Sequence, residues 1–216
     1  MVVTFAKLIE TGPELAKAAG AAVLVHGRGG SAADMQGLSE ALDIPSVRFF
    51  MPEADGNTWY PSRFIEPIER NEPYLSRALT MFRTLVDALL SAGIEPRRIF
   101  LGGFSQGACL TAEFVARNPM RYGAVALFTG GVIGPPGQIW PVRAGLAGTP
   151  VFIGASAQDP HVPATRVRET AALFSAMGAK VETHIYPGST HTVTSPELQA
   201  AQKLLRRMIA KPERLI

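Results

Sequence analysis

The chain has 216 residues, 47% of them hydrophobic, and a formal net charge of only +3 at neutral pH. This length and composition allow a sizeable buried core, so we expect a single domain spanning residues 1–216. The charge is small and the basic pairs at 97–98 and 206–207 are short, so no nucleic-acid partner is expected.

Cys109 is the only cysteine of the chain, which excludes an internal disulfide framework and fits a reducing compartment. Because it lies among apolar residues, we expect a thiol packed in the core. The N-terminal residues lack the apolar stretch of a secretion signal, and no run approaches the ~20 residues of a membrane span. We therefore expect a cytoplasmic protein without stable membrane insertion, either a monomer or a homodimer.

Strand-like and helix-like segments alternate along the chain, which predicts an α/β fold with a mostly parallel central sheet and helices on both faces. The predicted strands lie near residues 22–26, 47–51, 98–104, 122–128, 150–155 and 180–186, with a candidate edge strand up to Glu10. The predicted helices lie near residues 31–42, 72–92, 105–117, 163–177 and 195–210. Segments 52–71 and 129–149 lack a regular pattern, and long loops of this kind often carry function.

The first clear strand runs into a glycine-rich loop, HGRGGS at residues 26–31. Its glycines let the backbone turn so that the Arg28 N–H faces a reacting carbonyl, as in one half of an oxyanion hole. His26, at the strand end, is expected to be structural. The loop also satisfies the dinucleotide-binding pattern G-x-G-x-x-[GA]. That alternative needs an acid after the next strand, where Glu53 is poorly spaced, and it leaves the following motif unexplained.

Residues 103–107 read GFSQG and match the pattern G-x-S-x-G between a predicted strand and a predicted helix. In this context the serine, Ser105, stands on a sharp turn with its Oγ exposed. The flanking glycines are needed because a Cβ there would collide with neighbouring backbone. The N–H of Gln106 then lies at a helix N-terminus, where it can stabilise a developing oxyanion. The alternative is a glycine-rich turn with an ordinary serine.

A serine nucleophile needs a base and an acid that orients the base, here in the chain order Ser, Asp or Glu, His. Asp159 is the one aspartate after Ser105, and it follows the strand predicted at 150–155. Its alternative role is that of an Asp-Pro turn residue. Glu169 and Glu182 are weaker candidates, because they fall within a predicted helix and a predicted strand.

Three histidines follow Ser105 along the chain. His191 lies in the loop between the last predicted strand and the last predicted helix, so we expect it to be the base. His184 falls within the strand itself, which indicates a surface or cross-strand role. His161 lies only two residues beyond Asp159; it could line the rim of the site, but it is not the obvious partner of that carboxylate.

Taken in order, HGRG at 26–29, GFSQG at 103–107, DPHVP at 159–163 and the His191 loop resemble the phospholipase/carboxylesterase family of small α/β-hydrolases. The resemblance covers nearly the whole chain. It implies an α/β-hydrolase fold without a large lid domain and activity on esters or thioesters. The first loop continues with Gly29-Gly30-Ser31 where acyl-protein thioesterases usually have Gly-Asp. The segment GNTWYP at 56–61 is more similar to the bacterial carboxylesterases of the family.

These motifs together predict a serine hydrolase of small-molecule carboxylic esters. Ser105 is expected to attack the acyl carbon, with His191 as base and Asp159 as the acid that orients it. The N–H groups of Arg28 and Gln106 are expected to bind the oxyanion. No metal or organic cofactor is required for this chemistry.

Aromatic side chains of the two long loops are candidate walls of a substrate pocket: Trp59, Tyr60, Phe64 and Trp140. Equally, each could cover the edge of the core. Because these loops are short for a lid and rich in Pro and Gly, we expect an open, shallow site for short to medium acyl chains. Two other classes stay open. One is a thioesterase or lysophospholipase with the same triad, and the other is a non-catalytic binding protein, which an intact Ser-Asp-His set disfavours.

Overall fold

A twisted sheet of seven strands forms the centre of the protein in the computed structural model, which describes residues 5–210. Along the sheet the strand order is β1-β3-β2-β4-β5-β6-β7. β1 is antiparallel to β3, and the other neighbouring pairs are parallel. The strands span Lys7–Thr11 (β1), Gly20–Val25 (β2), Val47–Glu53 (β3), Ile99–Phe104 (β4), Ala124–Phe128 (β5), Pro150–Ser156 (β6) and Lys180–Tyr186 (β7).

The central strands are buried on both faces, which explains their nearly continuous apolar sequences. Every residue of β2 and β5 is buried, whereas β7 at the sheet edge alternates between exposed and half-buried positions. In a parallel sheet the crossover helices pack on both faces, so the central strands are buried on both sides. The sequence pattern of each strand therefore indicates its position in the sheet.

Five helices cover the sheet: Ala32–Leu42 (α1), Tyr74–Ser91 (α2), Gln106–Arg117 (α3), Ala164–Ala176 (α4) and Ser195–Ile209 (α5). α1 and α5 pack on one face around a core that includes Leu24 and Phe100. α2, α3 and α4 pack on the other face around a larger core that includes Val23 and Leu101. Neighbouring residues of one strand thus serve opposite cores, as the strand period of two requires.

The α/β-hydrolase fold predicted from the sequence is confirmed, and no large lid domain is present among residues 5–210. The edge strand expected near Glu10 is β1. Within the described range, no helix combines the length and apolar character needed to cross a bilayer.

The segment 52–71 is more regular than the sequence predicts. β3 continues through Pro52 to Glu53, and two short 3₁₀ turns follow at Asp55–Asn57 and Ile68–Asn71. Proline is tolerated at position 52 because the pairing of β3 with β2 ends at Phe50, which leaves β1 as its only neighbour there. Segment 129–149 contains neither helix nor strand, as expected.

Candidate active site

Ser105 lies on the sharp turn between β4 and α3, in a backbone conformation that is uncommon for residues other than glycine (φ 53°, ψ −118°). A Cβ on Gly103 would come within 2.6 Å of the Gly107 backbone, and one on Gly107 would come within 2.1 Å of the Val25 carbonyl oxygen. Both flanking glycines are therefore required by close backbone approach. The turn raises the Ser105 side chain to the C-terminal edge of the sheet.

Two hydrogen bonds connect Ser105 to a histidine and an aspartate from neighbouring strand ends. His191, in the loop after β7, has its Nε2 2.8 Å from the Ser105 Oγ. Its Nδ1 lies 2.8 Å from Oδ2 of Asp159, which follows β6. The Asp159 side chain is fully buried, and that of His191 is 21% exposed. The structure thus brings together the three residues that the sequence predicts as a triad.

The Asp159 carboxylate is held in one orientation by the backbone that follows it. Its Oδ1 accepts hydrogen bonds from the N–H groups of His161 and Val162, each at 2.8 Å. The other oxygen, Oδ2, is thereby directed at His191. An ionised carboxylate only accepts hydrogen bonds, so Nδ1 of His191 carries the proton and Nε2 is the acceptor that faces the serine.

The other histidines occupy different environments. His184 faces Glu182 on the exposed edge strand, with 2.9 Å between its Nε2 and the carboxylate. His161 lies at the site with its ring edge-on to His191, at a centroid distance of 4.8 Å. His26 is buried; its Nδ1 donates to the Gly27 carbonyl oxygen at 2.7 Å and its Nε2 accepts from the Ala54 N–H at 3.0 Å. Burial lowers the pKa of His26, which keeps this bridge neutral.

The loop after β2 approaches Ser105 closely. A Cβ on Gly27 would lie 3.3 Å from the Ser105 Cβ, and the next residue, Arg28, lines the same cavity as Ser105. Within residues 5–210, neither the Arg28 N–H nor the Gln106 N–H donates a hydrogen bond. The Gln106 N–H is also the first of helix α3, where the helix dipole favours negative charge. Two free donors beside a nucleophile are what an oxyanion hole requires.

The side chains of the same two residues hold the loop at positions 59–62. The Arg28 guanidinium donates to the carbonyl oxygens of residues 60, 61 and 62, at 2.8–2.9 Å. The Gln106 amide accepts from the Trp59 N–H at 3.0 Å and donates to the Tyr60 carbonyl oxygen at 2.8 Å. Sequence reasoning missed both roles, because side chain–backbone contacts between distant segments leave no local pattern.

A cavity of about 260 Å³ lies beside Ser105. Two of the four aromatic residues predicted to wall a pocket, Tyr60 and Phe64, line it. Three further residues of the wall were not predicted to line a pocket: Arg63, Cys109 and Val162. The complete lining comprises Arg28, Tyr60, Arg63, Phe64, Ser105, Gln106, Cys109, His161, Val162 and His191.

Neither Trp59 nor Trp140 lines this cavity, contrary to the expectation, but Trp59 lines a second cavity of about 460 Å³ that shares Tyr60 with the first. The Trp59 ring lies 4.9 Å from the His26 ring and its Nε1 donates to the His26 carbonyl oxygen at 2.9 Å. Trp140 donates to the Ile133 carbonyl oxygen at 3.0 Å and stacks over the guanidinium of Arg166. Trp59 is buried and Trp140 partly buried, and each has its N–H paired with a backbone carbonyl oxygen, which stabilises its loop.

Cys109 is packed in the core, as expected, although its side chain also reaches the cavity wall. Burial raises the pKa of its thiol to about 12. The thiolate, the reactive form of cysteine, is therefore scarce at neutral pH. Cys109 contributes shape rather than a second nucleophile.

Comparison with known proteins gives the same fold and family. The family model for Phospholipase/Carboxylesterase matches residues 10–209. The crystal structure of a phospholipase/carboxylesterase from Dyadobacter fermentans is 38% identical, with a TM-score of 0.87, and the match covers 94% of this chain and 97% of that one.

Two curated relatives are more distant. Acyl-protein thioesterase 1 of Gibberella zeae is 25% identical, over 87% of this chain and 89% of the relative. The putative esterase NocK of Nocardia uniformis is 27% identical over 79% of this chain, but the match spans only 55% of NocK. With the family model matching nearly its whole length, the chain belongs to the phospholipase/carboxylesterase family of ester-hydrolysing α/β-hydrolases.

Proposed function

We propose that this protein hydrolyses carboxylic esters of short to medium acyl chains through Ser105, His191 and Asp159, with a covalent acyl-enzyme intermediate. One observation carries the proposal. His191 donates a hydrogen bond to Asp159 and accepts one from Ser105, both 2.8 Å long, and this serine lies in a strained turn conformation. Nucleophile, base and orienting acid are thus within reach of one another before substrate arrives.

In the first half of the reaction the Ser105 Oγ attacks the acyl carbon and its proton passes to Nε2 of His191. The carbonyl oxygen becomes an oxyanion, which accepts hydrogen bonds from the N–H groups of Arg28 and Gln106. The buried carboxylate of Asp159 stabilises the imidazolium that forms. The C–O bond then breaks, and His191 gives its proton to the leaving alcohol.

In the second half a water molecule replaces the alcohol. His191 takes a proton from this water, and the resulting hydroxide attacks the acyl carbon of the ester to Ser105. The same two N–H groups bind the second oxyanion. Collapse of this intermediate returns the proton to Ser105 and releases the carboxylic acid. No residue outside the cavity wall and Asp159 takes part in these steps.

The size of the cavity supports short to medium acyl chains. Its volume of about 260 Å³ lies below the range of roughly 300–1,000 Å³ that drug-sized ligands occupy. Each buried CH₂ contributes about 0.8 kcal/mol only while the wall has room for it. We expect kcat/KM to rise from acetate to butyrate or hexanoate and then to fall.

A series of 4-nitrophenyl esters from acetate to palmitate tests this function, with Ser105→Ala as the matched inactive variant. We expect the maximum of kcat/KM at short to medium acyl chains and loss of activity in the variant. Full esterase activity in Ser105→Ala would contradict it. A continuous rise up to palmitate would instead favour a lysophospholipase or depalmitoylating role.

Hydrolysis of thioesters by the same triad is the second candidate. It is supported by the relative from Gibberella zeae that bears the name acyl-protein thioesterase. Thioesters with the same acyl groups as the ester series separate the two candidates. A higher kcat/KM for thioesters than for esters at every chain length would favour the thioesterase.

A further inference from the structure

The cavity beside Ser105 is lined by two arginines and by no Asp or Glu. The arginines are Arg28 and Arg63, and the lining also includes His161 and His191. Within residues 5–210, neither arginine forms a salt bridge. The nearest catalytic carboxylate, Asp159, is fully buried behind His191 and accepts hydrogen bonds on both oxygens. Nothing in the wall neutralises the two arginines.

The two arginines differ in how much of their hydrogen-bonding capacity is used. Arg28 donates to three backbone carbonyl oxygens and is thereby fixed. The side chain of Arg63 is exposed, and in the described part of the chain its guanidinium has no hydrogen-bond partner. By contrast, the nearby Arg70 is paired with Glu66 at 3.0 Å. Arg63 therefore presents free donors at the cavity.

The backbone that carries Arg63 is held on both sides. The buried side chain of Asn71 accepts from the Ser62 N–H at 2.8 Å and donates to the Arg63 carbonyl oxygen at 3.2 Å. The next residue, Phe64, accepts a hydrogen bond from the Gly134 N–H at 2.8 Å. A cation on a fixed backbone loses less freedom on binding than one on a mobile loop, so it is suited to recognise a ligand.

We infer that the natural substrate is an ester that carries an anionic group, and that Arg63 binds this group while Ser105 attacks the ester. A planar guanidinium with free donors pairs well with carboxylate or phosphate oxygens. The apolar wall formed by Tyr60, Phe64 and Val162 takes the uncharged part of the molecule. The inference rests on the proposed esterase function and adds the charge class of the substrate.

Matched pairs of neutral and anionic esters test this inference. In one pair the anionic group lies on the acyl side of the scissile bond, and in the other it lies on the alcohol side. For the acyl side the pair is ethyl pentanoate and monoethyl glutarate. For the alcohol side it is 4-methylphenyl butyrate and 4-carboxyphenyl butyrate. Because the intrinsic reactivities within a pair differ, the readout is the ratio of kcat/KM for the anionic ester to that for the neutral one, compared between variants.

Arg63→Gln should lower this ratio about fivefold in at least one pair, the size expected for an exposed ion pair. The loss should shrink as salt is added, because salt screens exposed charges. Arg63→Lys should preserve most of the ratio, and Arg70→Gln, which removes a paired arginine outside the cavity, should leave it unchanged.

An unchanged ratio in Arg63→Gln for both pairs would overturn the inference, as would an equal slowing of neutral and anionic esters. These results differ from failure of the proposed function itself, in which the wild-type protein would hydrolyse none of the four esters.

Discussion

The side chains of Arg28 and Gln106 donate hydrogen bonds to one and the same acceptor, the carbonyl oxygen of Tyr60, at 2.9 and 2.8 Å. The backbone N–H groups of these two residues are the candidate oxyanion donors. These two candidate donors come from segments 78 positions apart (106 − 28), which are tied together through the loop at 59–62. The same loop supplies Tyr60 to the cavity wall. The geometry of the hole and that of the pocket are therefore coupled.

Gln106→Met tests this coupling. The variant keeps the backbone N–H but leaves the Trp59 N–H without its acceptor and the Tyr60 carbonyl oxygen with Arg28 alone. A buried group that loses its partner costs about 1–3 kcal/mol, so we expect a lower Tm. We also expect kcat to fall by roughly tenfold with a smaller change in KM, because a misplaced donor weakens transition-state binding in particular.

Gln36→Met is the matched control, since the Gln36 side chain donates to Glu40 within α1, away from Ser105. It should leave kcat unchanged. If Gln106→Met lowers Tm while kcat stays at the wild-type value, the side chain of Gln106 stabilises the loop without positioning the oxyanion donor.

His191 and His184 form a second matched pair of variants. His191→Ala should lower kcat by ~10⁴ or more, the scale seen when triad members are removed. His184→Ala removes a contact to Glu182 and ring contacts with Phe152 and Tyr186, away from Ser105, and should keep wild-type kinetics. Steady-state kinetics on one 4-nitrophenyl ester measures both. An active His191→Ala together with an inactive His184→Ala would reverse the assignment of the base.

Asp159→Asn is a separate test of the acid. The amide can still accept the N–H groups of His161 and Val162, so the fold should remain intact. It cannot stabilise the imidazolium, and it permits the wrong histidine tautomer, so kcat should fall by about 10⁴. Circular dichroism and thermal unfolding check the fold. Near wild-type turnover would show that Asp159 is only a turn residue.

Tyr60 lines the catalytic cavity and also a second cavity of about 460 Å³ next to α2. Its side chain is buried. Tyr60→Leu removes ring volume from the boundary between the two cavities. We expect the maximum of kcat/KM to move to longer acyl chains by about one to three CH₂ groups, each contributing about 0.8 kcal/mol where there is room.

Tyr74→Leu is the control for this experiment. Tyr74 lines the second cavity but not the cavity beside Ser105, and it is 53% exposed. Its acyl-chain profile should match that of the wild type. An unchanged profile in Tyr60→Leu would show that the two cavities do not act as one acyl site.

Cys109 should be inert although it lies in the cavity wall. Burial raises the pKa of its thiol to about 12, so almost no thiolate exists at pH 7–8. Iodoacetamide should leave the native protein unmodified by intact mass and fully active, whereas it should alkylate the same residue after unfolding. Rapid alkylation of the native protein with loss of activity would mean that the cavity opens to Cys109.

The main features of the fold could be predicted because they depend on local patterns. The continuous apolar run of β5 and the alternation of strands with helices reflect burial and period directly. The passage of β3 through Pro52 could not be predicted. It depends on how far the pairing with β2 extends, and this is a property of the assembled sheet.

The site divides in the same way. The triad residues stand out in the sequence for two reasons. Close backbone approach requires glycines around Ser105, and Asp159 and His191 lie in loops that directly follow predicted strands. Trp59 lines the second cavity rather than the one beside Ser105, and nothing local in the sequence distinguishes a ring that packs on His26 from one that faces substrate. Arg63 was not predicted as a site residue. It is distinguished by a guanidinium without a hydrogen-bond or salt-bridge partner in the described part of the chain, and such partners are set by tertiary structure.

Covalent labelling by a fluorophosphonate is a direct test of whether Ser105, His191 and Asp159 form an active serine hydrolase site. The probe reacts with a serine only where a base and an oxyanion hole activate it, so it reports the assembled site rather than one residue. We expect one adduct per chain, located at Ser105 by peptide mass spectrometry, with complete loss of esterase activity. Ser105→Ala should take up no label. Labelling at another residue, or unimpaired activity once Ser105 is modified, would contradict the account.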